Sequence, residues 1–138
     1  MKPLDRPDTL LAKAAEDQAL VAAAVDNPAI SDAIVGFHVQ QAAEKLLKAL
    51  LVRRGVAYRR THDLFELFGL LSASGLPVPD RLLRIGLYTP YAVEFRYDEP
   101  DLEAKLDRSG ALTQLQEFHR WVEANGPCLS PEQETPPQ

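Results

Sequence analysis

The chain has little with which to cross-link itself. Its 138 residues include one cysteine, Cys128, which lies beyond the last periodic segment. No internal disulfide can form, and a reduced, intracellular setting is expected. No apolar run reaches the roughly 18 residues that a membrane span requires. The first residues, Met1-Lys2-Pro3-Leu4-Asp5-Arg6-Pro7-Asp8, lack the apolar stretch of a signal peptide. A cytoplasmic protein without a membrane partner is the expectation. Positive charge is in deficit as well. A formal charge of -5 and a pI near 5.2 exclude a protein that coats nucleic acid through its whole surface. Histidine occurs only at 38, 62 and 119, and His119 stands beside Arg120 without a second ligand nearby. No metal site and no cofactor are expected.

Runs of β-branched residues are nearly absent, while Ala and Leu are abundant, which favours helices over sheet. The length suits one domain with a core of its own. Pro3 and Pro7 make residues 1–8 a loose leader, or one ordered on contact. From there the helical domain extends over 9–126, and Asp8 or Thr9 is placed to cap its first helix. Leu10, Leu11, Ala14, Ala15, Gln18, Val21, Ala22 and Val25 recur at three- and four-residue steps as one apolar stripe. Asn27-Pro28 ends that helix, because a residue before proline is pushed out of the helical region.

Ser31 or Asp32 caps a second helix running to about Arg54, with Gly55 as its left-handed stop. Val35, Val39, Ala42, Leu46 and Leu50 line one side, with Ala43 and Leu47 beside them. Glu44 and Lys48 form an i,i+4 pair worth about 0.2–0.5 kcal/mol on an exposed face. A short third helix begins near Asp63 and buries Leu64, Leu67, Phe68 and Leu71, until Ser74-Gly75 and Pro77-Val78-Pro79 break it. A fourth, about Asp80 to Arg96, carries Leu82, Leu83, Leu87, Tyr91 and Phe95. Pro90 should kink it or cut it in two. Tyr97 to Leu106 reads as an exposed acidic connector. Asp107 caps the last helix, whose Leu112, Leu115, Phe118, Trp121 and Val122 face the core before Asn125-Gly126-Pro127. Residues 127–138 are polar and proline-rich, and a disordered tail is expected. No internal repeat is visible. The expected fold is all-α, an up-and-down antiparallel bundle of about five helices.

The string from Gly36 through Phe37-His38-Val39-Gln40-Gln41-Ala42-Ala43-Glu44-Lys45-Leu46-Leu47-Lys48 to Leu51 resembles the long helix of HEPN domains, the higher eukaryote and prokaryote nucleotide-binding family. Arg60-Thr61-His62-Asp63-Leu64 resembles the start of that family's third helix. Tyr88-Thr89-Pro90-Tyr91-Ala92-Val93-Glu94-Phe95-Arg96-Tyr97 resembles its kinked fourth. The likeness covers most of the chain from Leu10 to Ala124. It implies a helical bundle, usually dimeric, often paired with a minimal nucleotidyltransferase in toxin–antitoxin or related complexes. The family's catalytic branch is a metal-independent ribonuclease with an Arg and a His separated by four to six residues.

This chain departs from that branch. No Arg precedes any of the three histidines at that spacing, and the nearest pair, Arg54 and His62, spans the helix stop at Gly55. At the place the resemblance assigns to the active pair, Arg96-Tyr97-Asp98-Glu99-Pro100-Asp101-Leu102 has the Arg and no His. Cleavage through a ribose 2′-hydroxyl needs a group to take the proton and a cation to hold phosphate charge. Arg96 offers the cation, and His38 or His62 is a candidate base from elsewhere in the fold.

Two readings stand beside each other at every other candidate. Arg53, Arg54, Arg59 and Arg60 form either a phosphate clamp, through two-point guanidinium contacts, or a helix-end charge balance with solvated neighbours. His62-Asp63 is either a base with its orienting acid or a turn with a helix cap. His38 is either catalytic or a satisfied core or interface residue. Gln40, Gln41, Glu44, Lys45 and Lys48 are either a solvated face of the second helix or a dimer or partner surface. Tyr88, Tyr91 and Tyr97 either stack on a base or accept a nucleotidyl group, or anchor a half-buried face. Taken together, the expectation is a homodimeric module that binds a nucleotide, an RNA phosphate or a nucleotidyltransferase, without the Arg–His pair. The alternatives are a toxin ribonuclease using Arg96 with a noncontiguous His, and a purely structural assembly domain.

Overall fold

The computed structural model of the chain describes residues 6–94 and 106–126. Arg96, Tyr97, the expected acidic connector, the tail at 127–138 and the first five residues lie outside them. The described residues are all-α, with no strand among them. Helices α1 (Pro7–Ala24), α2 (Asp32–Arg53), α3 (Leu64–Ala73), α4 (Asp80–Leu83), α5 (Thr89–Glu94) and α6 (Arg108–Asn125) follow in order, with a 3-10 helix, Arg84–Tyr88, between α4 and α5. Counting α4, the 3-10 helix and α5 as one interrupted segment gives the expected five-part bundle.

Helix ends follow local chemistry. The Ser31 hydroxyl accepts from the Ile34 amide, Asp63 accepts from the Phe65 amide and Asp107 accepts from the Gly110 amide, so three of the expected caps are in place. Helix α1 starts differently from expectation. Neither Asp8 nor Thr9 caps it; Pro7 occupies the first turn, where its missing N–H costs nothing, and Arg6 is a cap without a side-chain bond. Gly55 and Gly75 take φ of 73° and 103°. In each case the next amide, Val56 or Leu76, bonds five residues back to Leu51 or Leu71, and its side chain closes onto the core. Arg54 then joins the two helix ends, donating to the Ser74 hydroxyl at 3.1 Å and the Ser74 carbonyl at 3.0 Å.

Helix α2 is the axis of the bundle. It packs against α1, α3, α5, α6 and the 3-10 helix. Its apolar line, Val35, Val39, Ala42, Ala43, Leu46, Leu47 and Leu50, is fully buried, each large side chain contributing about 1.5–3 kcal/mol. The first helix turns differently from the expected stripe. Leu10, Ala14, Asp17, Val21 and Ala24 face inward, whereas Ala15 and Ala22 are exposed. An aspartate thus stands in the buried line of α1, and its partners on α2 explain why that is tolerated.

The interrupted fourth segment also changes which residues it buries. Pro90 is accommodated in the first turn of α5, where no amide is required of it, and the backbone before it tightens to 3-10. With three residues per turn, Leu82, Ile85 and Tyr91 point inward, while Leu87, expected in the core, is 66% exposed. The Thr89 hydroxyl in this segment accepts the Leu64 amide at 3.1 Å, tying it to the start of α3. Arg108, at the start of α6, locks the opposite end. It donates to the carbonyls of Ala24, Asn27 and Ile30 and to the Asp32 carboxylate at 2.5–3.0 Å. The last carbonyl of α1 and two carbonyls of the turn after it thereby gain a donor from the far end of the sequence.

Gly36 shows how closely α5 approaches α2. A β-carbon there would fall 2.3 Å from the Tyr91 ring. Alanine is the better helix former by about 1 kcal/mol, so a loss on substitution isolates overpacking. Gly36→Ala is expected to lower the unfolding free energy by about 1–3 kcal/mol, read by urea denaturation. An unchanged midpoint would mean that Tyr91 is free to move aside.

Candidate functional site

The five polar residues expected on an open or partner-covered face of α2 are not a simple solvated surface. Gln40 is completely buried and Glu44 is 5% exposed. The reason is the position of α2: with α1, α3, α5, α6 and the 3-10 helix packed on it, its middle turns reach water only along a half-buried stripe through His38, Gln41, Lys45 and Lys48. Its polar residues are matched instead by side chains from α1 and from the α2–α3 loop.

Glu44 is the hub. The Lys48 Nζ donates to its Oε2 at 2.7 Å, and Gln40 Nε2 donates to its Oε1 at 3.0 Å. The His62 Nδ1 stands 2.9 Å from the same Oε1. Gln41 Nε2 donates to Gln40 Oε1 at 2.7 Å and lies 3.4 Å from Glu44 Oε1. Gln40 also donates to the His62 carbonyl at 2.9 Å, which fixes the loop as well as the ring. Burial pushes the Glu44 carboxyl up, but the bonds from Lys48, His62 and Gln40, with the Lys48 charge, outweigh it and hold the group below its ordinary range. Lys48 additionally lies over the Tyr58 ring, 5.5 Å from its centroid.

A second carboxylate extends this network toward the start of α2. Asp17 of α1 accepts from Lys45 Nζ at 2.6 Å and pairs with His38 Nδ1 at 2.8 Å. His38, Gln41, Lys45 and Lys48 follow at steps of three, four and three residues, so they form one stripe along α2. Both histidines are thus anchored at Nδ1 by a carboxylate, and neither Nε2 has a partner among the described residues. Two carboxylates and two ammonium groups leave the stripe neutral when both rings are neutral. Protonation of either ring makes it cationic.

Asp17 was not among the residues singled out from the sequence. Its signal was visible, since it stands in helical register with Leu10, Ala14 and Val21. A charged residue in a buried line needs a partner. Nothing local identified His38 and Lys45, 21 and 28 residues away, as that partner.

The four arginines do not converge. Arg53 lies 3.5 Å from Asp8 and packs at Gly126, and Arg54 holds the end of α3. Arg59 makes a two-point pair with Glu66, both contacts at 2.7 Å, and Glu66 raises its pKa by hydrogen bond and charge. Arg60 is exposed and has no ion pair among the described residues. Tyr88 and Tyr91 stack on one another, ring centroids 5.8 Å apart, with Tyr91 against Gly36. Burial, with Tyr91 and Asp107 nearby and Arg84 opposing, pushes the Tyr88 hydroxyl up to about 12. Asp63 serves as the α3 cap, and His62 orients on Glu44, not on Asp63. His119 spends both ring nitrogens on Gln18 and Glu123. No cluster of His, Cys, Asp and Glu that could hold a metal occurs among the described residues. A groove of about 680 Å³ lies at the α1–α2 turn, but the Arg108 guanidinium in its lining is fully engaged by the carbonyls and carboxylate described above.

The depressed Glu44 pKa has a definite sign. A carboxyl held lower in the folded chain contributes stability above its unfolded value near 4.5, and that contribution is lost as pH falls through the folded pKa. Glu44→Gln is therefore expected to flatten the acid limb of a stability–pH profile. At neutral pH it should cost about 1–3 kcal/mol, because Lys48 and His62 sit on different oxygens and a carboxamide keeps only one acceptor for the two. Equal acid limbs for the two proteins would remove Glu44 from the hub of the network.

A family model described as the HEPN domain matches residues 10–125, most of the chain and all of the elements described above except the first turn of α1. Comparison with curated proteins and with solved structures finds no match. No helix among the described residues is long and apolar enough to cross a membrane. The matched span contains the Glu44 and Asp17 networks entire, and the chain belongs to the HEPN domain family.

Proposed function

We propose that this HEPN domain is a binding module. As a homodimer, it binds the phosphate of a nucleotide or an RNA on the α2–α3 loop, or a nucleotidyltransferase partner in a toxin–antitoxin-like pair. The observation that carries the reading is the anchoring of His62. Its Nδ1 and its carbonyl are both fixed to the buried part of α2, through Glu44 and Gln40. Its side chain is 55% exposed, and it stands two residues from Arg60, the arginine of the cluster without an ion pair among the described residues. A cation with two-point donors beside a fixed imidazole edge suits a phosphate oxygen pair. The missing Arg–His spacing supports binding over cleavage.

A second reading has its own observation. His38 and His62 each carry a carboxylate on Nδ1 and have no Nε2 partner among the described residues, which is the arrangement a general base requires. With Arg96, outside the described residues, as the cation, this would be a metal-independent ribonuclease. One set of proteins separates the two. Titration with ATP and with a short single-stranded RNA should show binding that Arg60→Ala and His62→Ala each weaken about tenfold or more. No RNA should be cleaved in the presence of EDTA. Metal-independent cleavage abolished by Arg96→Ala, and by His38→Ala or His62→Ala, would replace the binding reading with the ribonuclease. Absence of nucleotide and RNA binding would leave the domain a structural partner subunit.

A further inference from the structure

The segment from α4 to α5 presents an exposed ridge that none of the preceding chemistry uses. In a 3-10 helix, residues three apart eclipse one another. Arg84 and Leu87 of the 3-10 helix, with Arg81 of α4 and Pro90 of α5 at the same spacing, are all exposed, whereas Leu82, Ile85 and Tyr91 are buried. Leu87 is 66% exposed and Phe65, on the first turn of α3, is 47% exposed. The two belong to one patch, because the Phe65 ring lies directly on Gly86: a β-carbon there would sit 2.6 Å from its Cζ. The patch is rigidly backed. Phe65 meets Phe68 edge-on at 5.5 Å, and Phe68 meets Phe118 in the core at 6.4 Å.

Its charge is positive on balance, Arg81 and Arg84 against the exposed carboxylate of Asp80 at the start of α4. Neither Arg81 nor Arg84 has an ion-pair partner among the described residues. The carboxylates flanking Phe65 are already committed, Asp63 as the α3 cap and Glu66 to Arg59. The ridge therefore joins two guanidinium groups, without an ion pair among the described residues, to an aliphatic and an aromatic surface, in a protein whose net charge is -5. Exposed leucine and proline offer nothing to a phosphate backbone. A protein segment with carboxylates beside apolar side chains complements both halves.

We propose that Phe65 and Leu87, flanked by Arg81 and Arg84, form a docking surface for an acidic amphipathic segment of a partner protein. An apolar side chain of that segment covers Phe65 and Leu87, and its carboxylates pair with the two arginines. The surface shares no residue with the Glu44 and Asp17 networks or with Arg60, so it stands or falls independently of the phosphate reading.

The test is selection of random dodecapeptides displayed on phage against the immobilised whole chain, followed by titration of the resynthesised peptides. Leu87→Ser and the double change Arg81→Glu/Arg84→Glu alter exposed positions, and unchanged helical circular dichroism and melting will confirm that both variants fold. Enrichment of peptides combining Asp or Glu with Leu, Phe or Met is expected. Their affinity should fall about tenfold or more in each variant and weaken with added salt. Selected peptides without net negative charge, or equal affinity for all three proteins, would overturn the proposal. It is equally overturned if oligouridylate binds more tightly than the peptides and is lost in Arg81→Glu/Arg84→Glu, which makes the ridge a nucleic-acid surface. Sedimentation showing a dimer that Leu87→Ser dissolves would assign the patch to a second copy of the chain instead.

Discussion

The Glu44 carboxylate is buried on the central helix of the bundle, and the structure around it is arranged to make that tolerable. An isolated ionised carboxyl in such a place is strongly unfavourable. Here its two oxygens meet an ammonium, an imidazole and two side-chain amides. Those donors come from α2 itself and from the loop that follows it, so satisfying one buried charge also sets where the loop runs. The His62 carbonyl is drawn onto Gln40, Thr61 is buried behind it, and Asp63 is delivered to the start of α3 as its cap. Helix α3 then buries Leu64, Leu67, Phe68 and Leu71, and the next segment docks on it through Thr89.

Asp17 repeats the device on the other side. A buried carboxylate on α1 takes Lys45 and His38 from α2, so the α1–α2 pairing is set in register by charge as well as by apolar contact. The described residues leave no buried side-chain polar atom without a partner. A fully satisfied polar network of this kind narrows the arrangements open to a helical bundle, because sliding either helix by one turn would strand two charges. The same arrangement presents both imidazoles with one nitrogen held and the other without a partner among the described residues, which is what gives a structural network its chemical potential.

Much of this fold was legible from the residues. Ser31, Asp63 and Asp107 as caps, Gly55 as a left-handed stop, and the buried lines of α2 and α3 all follow from short-range rules. The failures share one cause. Pro90 was recognised as a break, but its tightening of the preceding turns to three residues, which rotates Leu87 outward and Ile85 inward, depends on how that segment docks. The arginine cluster looked like one site because four residues are close in sequence. Their extended side chains follow different neighbours, to Asp8, Ser74 and Glu66, and leave Arg60 without an ion pair among the described residues. Arg108 and Asp17 carried no local mark of the partners that give them their roles.

Helix positions, most of their ends and the buried faces of α2 and α3 were determined by the sequence itself, because apolar period, caps and glycine stops act within a few residues of one another. So was the absence of the Arg–His spacing, which is a property of order along the chain. Only the tertiary structure decided that Gln40 and Glu44 of α2 are interior, that Asp17 and Glu44 hold the two histidines, and that Leu87 faces out. A glutamine or glutamate on a helix has the same local pattern whether water or a side chain tens of residues away completes its hydrogen bonds. Only the packing of the whole bundle distinguishes the two.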